Sequence, residues 1–138
     1  MIKLTTLSKP SPSATLLLYI AASPTTVSIV LVEEKEHKNK TKQFLVYFVS
    51  VALLGAKLNY SKLEKIAYTV VMASRKLKHY FQAHRIKVLS AQPLEALFRN
   101  SKAFRRIRKW ATELNEFVVD FEHKSAIKSQ ALVDFIVD

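Results

Sequence analysis

The chain has 138 residues, 49% of them apolar, which suits one domain around a single core and excludes a disordered tail. Its 22 Lys and Arg against 11 Asp and Glu give a net charge of +11. That excess favours a polyanionic partner, nucleic acid or an acidic membrane surface, and nucleic acid is preferred here over a merely solvated basic surface.

There is no cysteine, so disulfides, thiolate metal sites and cysteine nucleophiles are excluded. One glycine, Gly55, excludes a phosphate-cradling glycine loop. His37, His79, His84 and His123 show no ligand spacing. The aspartates are Asp120, Asp134 and Asp138, all late in the chain. The first residues, Met1-Ile2-Lys3-Leu4, lack the apolar run of a signal peptide, and the apolar run 16–22 is too short to span a bilayer. The chain reads as soluble and intracellular, in cytoplasm or nucleus, and not secreted.

Residues 1–14 read as an extended lead-in segment, because Pro10 and Pro12 restrict themselves and the residues before them. A short apolar run at 15–22 predicts a buried strand, and Pro24-Thr25 a turn. The β-branched alternation around Val27, Ile29 and Leu31 predicts a second strand. The charged stretch 33–40 reads as a solvated hairpin loop, followed by a third strand at 44–51.

Leu63, Ala67, Val70, Ser74, Leu77 and Phe81 recur at steps of three and four, one face of an amphipathic helix over 61–82. Ser61 with Glu64 has the spacing of a capping box. Residues 85–89 predict a fourth strand, ended by Pro93. A helical turn at 94–98 follows. A second amphipathic helix carries Phe104, Ile107, Ala111 and Leu114 on one side and Lys102, Arg105, Arg106, Arg108 and Lys109 on the others. A fifth strand at 117–122 and a short helix at 129–137 complete the order. Strands one to three can pair as an antiparallel meander, and the fourth joins in parallel through a crossover. The expected fold is an α/β mixed sheet of five strands flanked by helices.

This order is the ribonuclease H-like one, and local sequence strengthens it. Leu7-Ser8-Lys9-Pro10, Leu18-Tyr19-Ile20-Ala21-Ala22-Ser23, Val46-Tyr47-Phe48-Val49-Ser50 and Leu54-Gly55-Ala56 follow the family's run of elements. So do Ala73-Ser74-Arg75-Lys76-Leu77, Lys109-Trp110-Ala111-Thr112-Glu113-Leu114 and Ala131-Leu132-Val133-Asp134. The chain resembles the RNase H-like domain of Ty3/gypsy-type retrotransposon reverse transcriptase polyproteins, especially the plant form, from Leu7 onward, with the domain itself at 15–138. It begins at a methionine within what resembles the middle of a polyprotein, which favours a fragment or relic of an element.

The resemblance implies a two-metal site whose carboxylates come from several elements. Catalytic members carry an aspartate in a Thr-Asp-Ala-Ser sequence on the first strand, a glutamate on the long helix and a Thr-Asp-His at the end of the fourth strand. The matching positions here are Ala21, Ile66 and Ala91, and only Asp134 matches the late aspartate. Glu64 stands about 200° around the helix from Ile66, so it reads as a capping or surface residue. The site is therefore expected to hold no intact catalytic set and no metal, with Mg²⁺ relevant only to an active enzyme.

The remaining function is carried by cations. Lys102, Arg105, Arg106 and Lys109 share helical spacing, and Arg75, Lys76 and Lys78 form a second patch. Such contacts track phosphates without reading sequence. The simpler alternative is that these cations only keep the chain soluble. Trp110, Tyr80 and Phe81 read as core anchors rather than base-stacking platforms. The expected partners are an RNA–DNA hybrid or DNA duplex and the rest of a reverse transcriptase polyprotein, with no membrane. Three functions compete: a degenerate, nucleic-acid-binding or connecting module; an active ribonuclease H cleaving the RNA of hybrids with Mg²⁺; and a partner-binding scaffold with no nucleic-acid role.

Overall fold

The computed structural model describes residues 9–99 and 105–123. Its elements follow as β1 (Leu16–Ala22), β2 (Thr26–His37), β3 (Lys40–Ala52), a 3₁₀ turn (Gly55–Asn59), α1 (Lys62–Lys76), α2 (Lys78–Ala83), β4 (Ile86–Ser90), α3 (Leu94–Arg99), α4 (Arg105–Leu114) and β5 (Val119–His123). The expected helix at 129–137, Asp134, Lys102 and Phe104 lie outside the described residues.

The sheet order is β3–β2–β1–β4–β5. β1–β2 and β2–β3 are antiparallel, and β1–β4 and β4–β5 are parallel. This is the mixed five-stranded sheet expected from the element order. Parallel neighbours need a crossover, and α1 with α2 supplies it between β1's hairpin and β4.

Side-chain alternation sorts the central strands onto two faces. Leu16, Leu18, Val27, Ile29, Leu31, Ile86 and Val88 join α1 and α4 in the main core. Tyr19, Val30, Val32 and Leu89 form a smaller cluster on the opposite face. Burial on both faces is why these stretches read as apolar runs rather than as strict alternation.

Two expectations are corrected. The charged stretch 33–40 is not a loop: β2 and β3 run through it, pairing to His37 with Lys40. Lys38 and Asn39 alone make the turn, both with positive φ (52° and 62°), the geometry of a two-residue hairpin. Glu33 is buried and accepts a hydrogen bond from the Ser11 N–H at 3.1 Å. A shift of register between Leu31 and Val32, where Val46 has no partner, bends this long hairpin.

The long helix is likewise two helices. Leu77 leaves helical geometry at φ −115°, ψ 35°, with neither proline nor glycine present. One turn earlier the Ser74 hydroxyl donates to the Val71 carbonyl at 2.7 Å, back-bonding that bends helices. Leu77 stays buried, so the bend keeps the apolar stripe on the core. The stripe is also broader than expected: Ile66, Val71, Met72 and Ala73 are buried, whereas Leu63 is 38% exposed.

The capping box at Ser61 and Glu64 forms as expected, with reciprocal bonds of 3.2 Å and 3.0 Å. Trp110 and Phe81 are buried and Tyr80 partly so. Trp110 sits against Tyr60 and Tyr68, with ring centroids 6.0 Å and 5.9 Å away. Truncating a buried aromatic removes its transfer energy and leaves a cavity. Trp110→Ala is expected to lower unfolding free energy by about 3–5 kcal/mol in urea denaturation. Val118→Ala, on a side chain 54% exposed, should stay within about 0.5 kcal/mol.

Candidate nucleic-acid interface

The strand register helps locate the positions that the resemblance marks for carboxylates. β1 pairs β4 from Leu16 with Ile86 to Tyr19 with Leu89. Ala21 lies two residues beyond that last pair on β1, and Ala91 follows Ser90, the last residue of β4, so both belong to the same end of the sheet. Both are exposed. The start of α1 lies at the same end of the sheet, because Lys65 Nζ donates to the Pro24 carbonyl at 2.7 Å in the β1–β2 turn. Ile66, the next residue, is 6% exposed and belongs to the main core.

Alkyl side chains offer no oxygen, so Ala21, Ile66 and Ala91 do not fit Mg²⁺. Among the described residues no three His, Asp or Glu side chains gather as ligands. The Glu64 carboxylate is engaged by the Ser61 N–H and by Arg106 Nη1 at 2.6 Å. Asp120 is exposed on β5, 3.5 Å from Arg85.

The candidate cations divide into two groups. Arg75 grips Glu113 with two bonds, Nε at 2.8 Å and Nη2 at 2.9 Å. Arg106 bonds Glu64 and lies 4.3 Å over the Tyr60 ring. These pairs clamp α1 to α4 at both ends, with the Tyr60–Tyr68–Trp110 aromatics beside them. Arg105 and Lys109 on α4, with Lys76 and Lys78 near the bend, are exposed as Arg75 and Arg106 are, but take no part in these two clamps. Arg108, three residues beyond Arg105 on the same helix, is exposed too. The partners of Arg75 and Arg106 lie 38 and 42 positions away, beyond any local sequence pattern.

Each clamp lowers the pKa of its carboxylate. Glu64 is held below the ordinary 4.5 chiefly by the Ser61 backbone N–H, with help from Arg106, against a desolvation cost. Glu113 is lowered by its hydrogen bonds to Arg75. A depressed native pKa stabilises the fold while the group is ionised. The contribution is complete above 4.5 and fades as pH falls through the lower native values. Partly exposed pairs of this kind are worth about 0.2–1 kcal/mol each. The urea midpoint should therefore fall between neutral pH and pH ~3, and the Glu64→Gln/Glu113→Gln double variant should show a shallower fall over that window.

No described helix is long and apolar enough to cross a membrane. None of the curated proteins matches the chain. Solved structures share its fold. Foamy viral protease-reverse transcriptase in complex with double-stranded DNA superposes with a TM-score of 0.67 at 21% identity, covering 87% of this chain and 25% of that one. The same enzyme in complex with an RNA/DNA hybrid gives 0.67 and 21%, covering 87% and 16%. Native prototype foamy virus protease-reverse transcriptase gives 0.65 and 19%, covering 86% and 16%. The chain thus spans a quarter or less of the length of these chains. The model of the RNase H-like domain found in reverse transcriptase matches residues 11–117, most of the chain, and with the five-stranded sheet this places the protein in that family.

Proposed function

We propose that this chain is a catalytically degenerate RNase H-like module of a retroelement reverse transcriptase, of the plant Ty3/gypsy type. It holds a nucleic-acid duplex within a longer polypeptide inside the cell and does not hydrolyse it. Residues 15–138 form the module and residues 1–14 lead into it. The observation that carries this reading is the alkyl composition of one end of the sheet, where Ala21 near the end of β1 and Ala91 just after β4 are exposed and Ile66 belongs to the core. A two-metal nuclease needs oxygen ligands at such positions. Asp134 alone would be a poor metal site.

The gripping role rests on the net charge of +11 and on the exposed Arg105, Arg108, Lys109, Lys76 and Lys78. Structures of similar fold have been solved with double-stranded DNA and with an RNA/DNA hybrid, which supports a duplex as the partner. Cations that neutralise phosphates make affinity fall steeply with salt.

The test is a labelled RNA–DNA hybrid in Mg²⁺ and in Mn²⁺. Binding is expected at low salt without cleavage. Arg105→Gln/Arg108→Gln/Lys109→Gln should flatten the plot of log affinity against log salt, by about 0.9 for each phosphate no longer neutralised. Cleavage that disappears in Asp134→Asn would overturn the degenerate reading in favour of an active ribonuclease H. Absence of binding at low salt would remove the gripping role and leave a scaffold.

A further inference from the structure

We propose that Lys65 forms an anion subsite at the end of the sheet where β1 and β4 finish, and that it takes a phosphate oxygen of the bound backbone. The inference deepens the duplex-holding function and rests on it.

Lys65 is the one buried cation among the described residues, with 9% of its surface exposed. Its stem runs from α1 to the β1–β2 turn, where Nζ meets the Pro24 carbonyl at 2.7 Å. Ser23, Pro24 and Thr25 around that carbonyl are exposed, so the turn that the covered Lys65 side chain reaches borders solvent. Lysine has three donors, and one neutral carbonyl takes one of them.

The surroundings decide what the others can meet. Arg75 and Arg106, the cations that join α1 to α4, have carboxylate partners. Lys65 has a neutral one. The side chains at this end that the resemblance marks as carboxylates are Ala21, Ile66 and Ala91, and Glu64 is committed to Ser61 and Arg106. An ammonium with no carboxylate partner among the described residues favours an incoming anion, and a compact point charge suits a phosphate oxygen. The same lysine beside three ionised carboxylates would be neutralised by them. Alkyl groups at Ala21, Ile66 and Ala91 in place of acids would therefore favour an anion beside Lys65.

Three proteins test the idea: the wild type, Lys65→Met and Lys65→Arg, each checked for folding by thermal melting. With an RNA–DNA hybrid, Lys65→Met should reduce the salt slope by about 0.9 and weaken binding roughly fivefold to tenfold at 0.1 M salt, while Lys65→Arg keeps most of the slope. In wild-type protein labelled at lysine Nζ, the Lys65 signal, assigned from its loss in Lys65→Arg, should move on adding hybrid. If the hybrid binds, the Lys65→Met slope is unchanged and the signal stays still, the subsite is wrong and the duplex-holding function stands. If the hybrid does not bind at all, titration with inorganic phosphate against chloride decides: a moving Lys65 signal upholds the anion site for free phosphate, and a still one overturns it. Should Lys65→Met fail to fold, the two titrations of wild-type protein decide in the same way.

Discussion

Everything in this domain depends on how β1 is held. It pairs antiparallel with β2 on one side and parallel with β4 on the other, and its two faces feed two apolar clusters. The parallel pairing is the demanding one, since it cannot be closed by a hairpin. The chain meets it with α1 and α2, packed across the sheet. Because β1 and β4 run the same way, their ends coincide, and the start of α1 returns to that end through Lys65 and Pro24. A site is thus assembled by topology, whatever side chains occupy it.

What occupies it here sets the chemistry. Ile66 contributes to the core instead of facing a metal, and Ala21 and Ala91 contribute methyl groups. Burying an apolar side chain of that size is worth about 1.5–3 kcal/mol, whereas grouped carboxylates repel one another without a cation between them. On the proposed reading, alkyl groups in place of ligands would remove a source of strain from the scaffold. The basic surface is used twice. Arg75 and Arg106 fasten α1 to α4, and Arg105, Arg108 and Lys109 remain outward.

Much of this was legible in the sequence because it is local. The succession of strands and helices along the chain, the Ser61–Glu64 cap and the inward faces of Trp110 and Phe81 follow from periodicity and spacing of neighbouring residues. Three features were not. The charges from Glu33 to Lys40 mimic a loop, yet paired backbone and a tight Lys38–Asn39 turn carry the strands through them. The break at Leu77 has no Pro or Gly to announce it and arises beside a hydroxyl bonding back to its own helix. Arg75, Arg106 and Lys65 look like any surface cations until the fold brings Glu113, Glu64 and Pro24 beside them. Long-range partners are invisible to spacing rules, and they decide which charges are spent within the fold.

The central claim is that the end of the sheet formed by β1, β4 and the start of α1 has no affinity for divalent cations. Paramagnetic Mn²⁺ reports on this directly when titrated into isotope-labelled protein and followed at the backbone amides of Ala21, Ile66 and Ala91. The account predicts that these amides broaden no more than those of exposed residues elsewhere on the surface. Selective, saturable broadening centred on the three would contradict it, because it would mean that other side chains complete a metal site there.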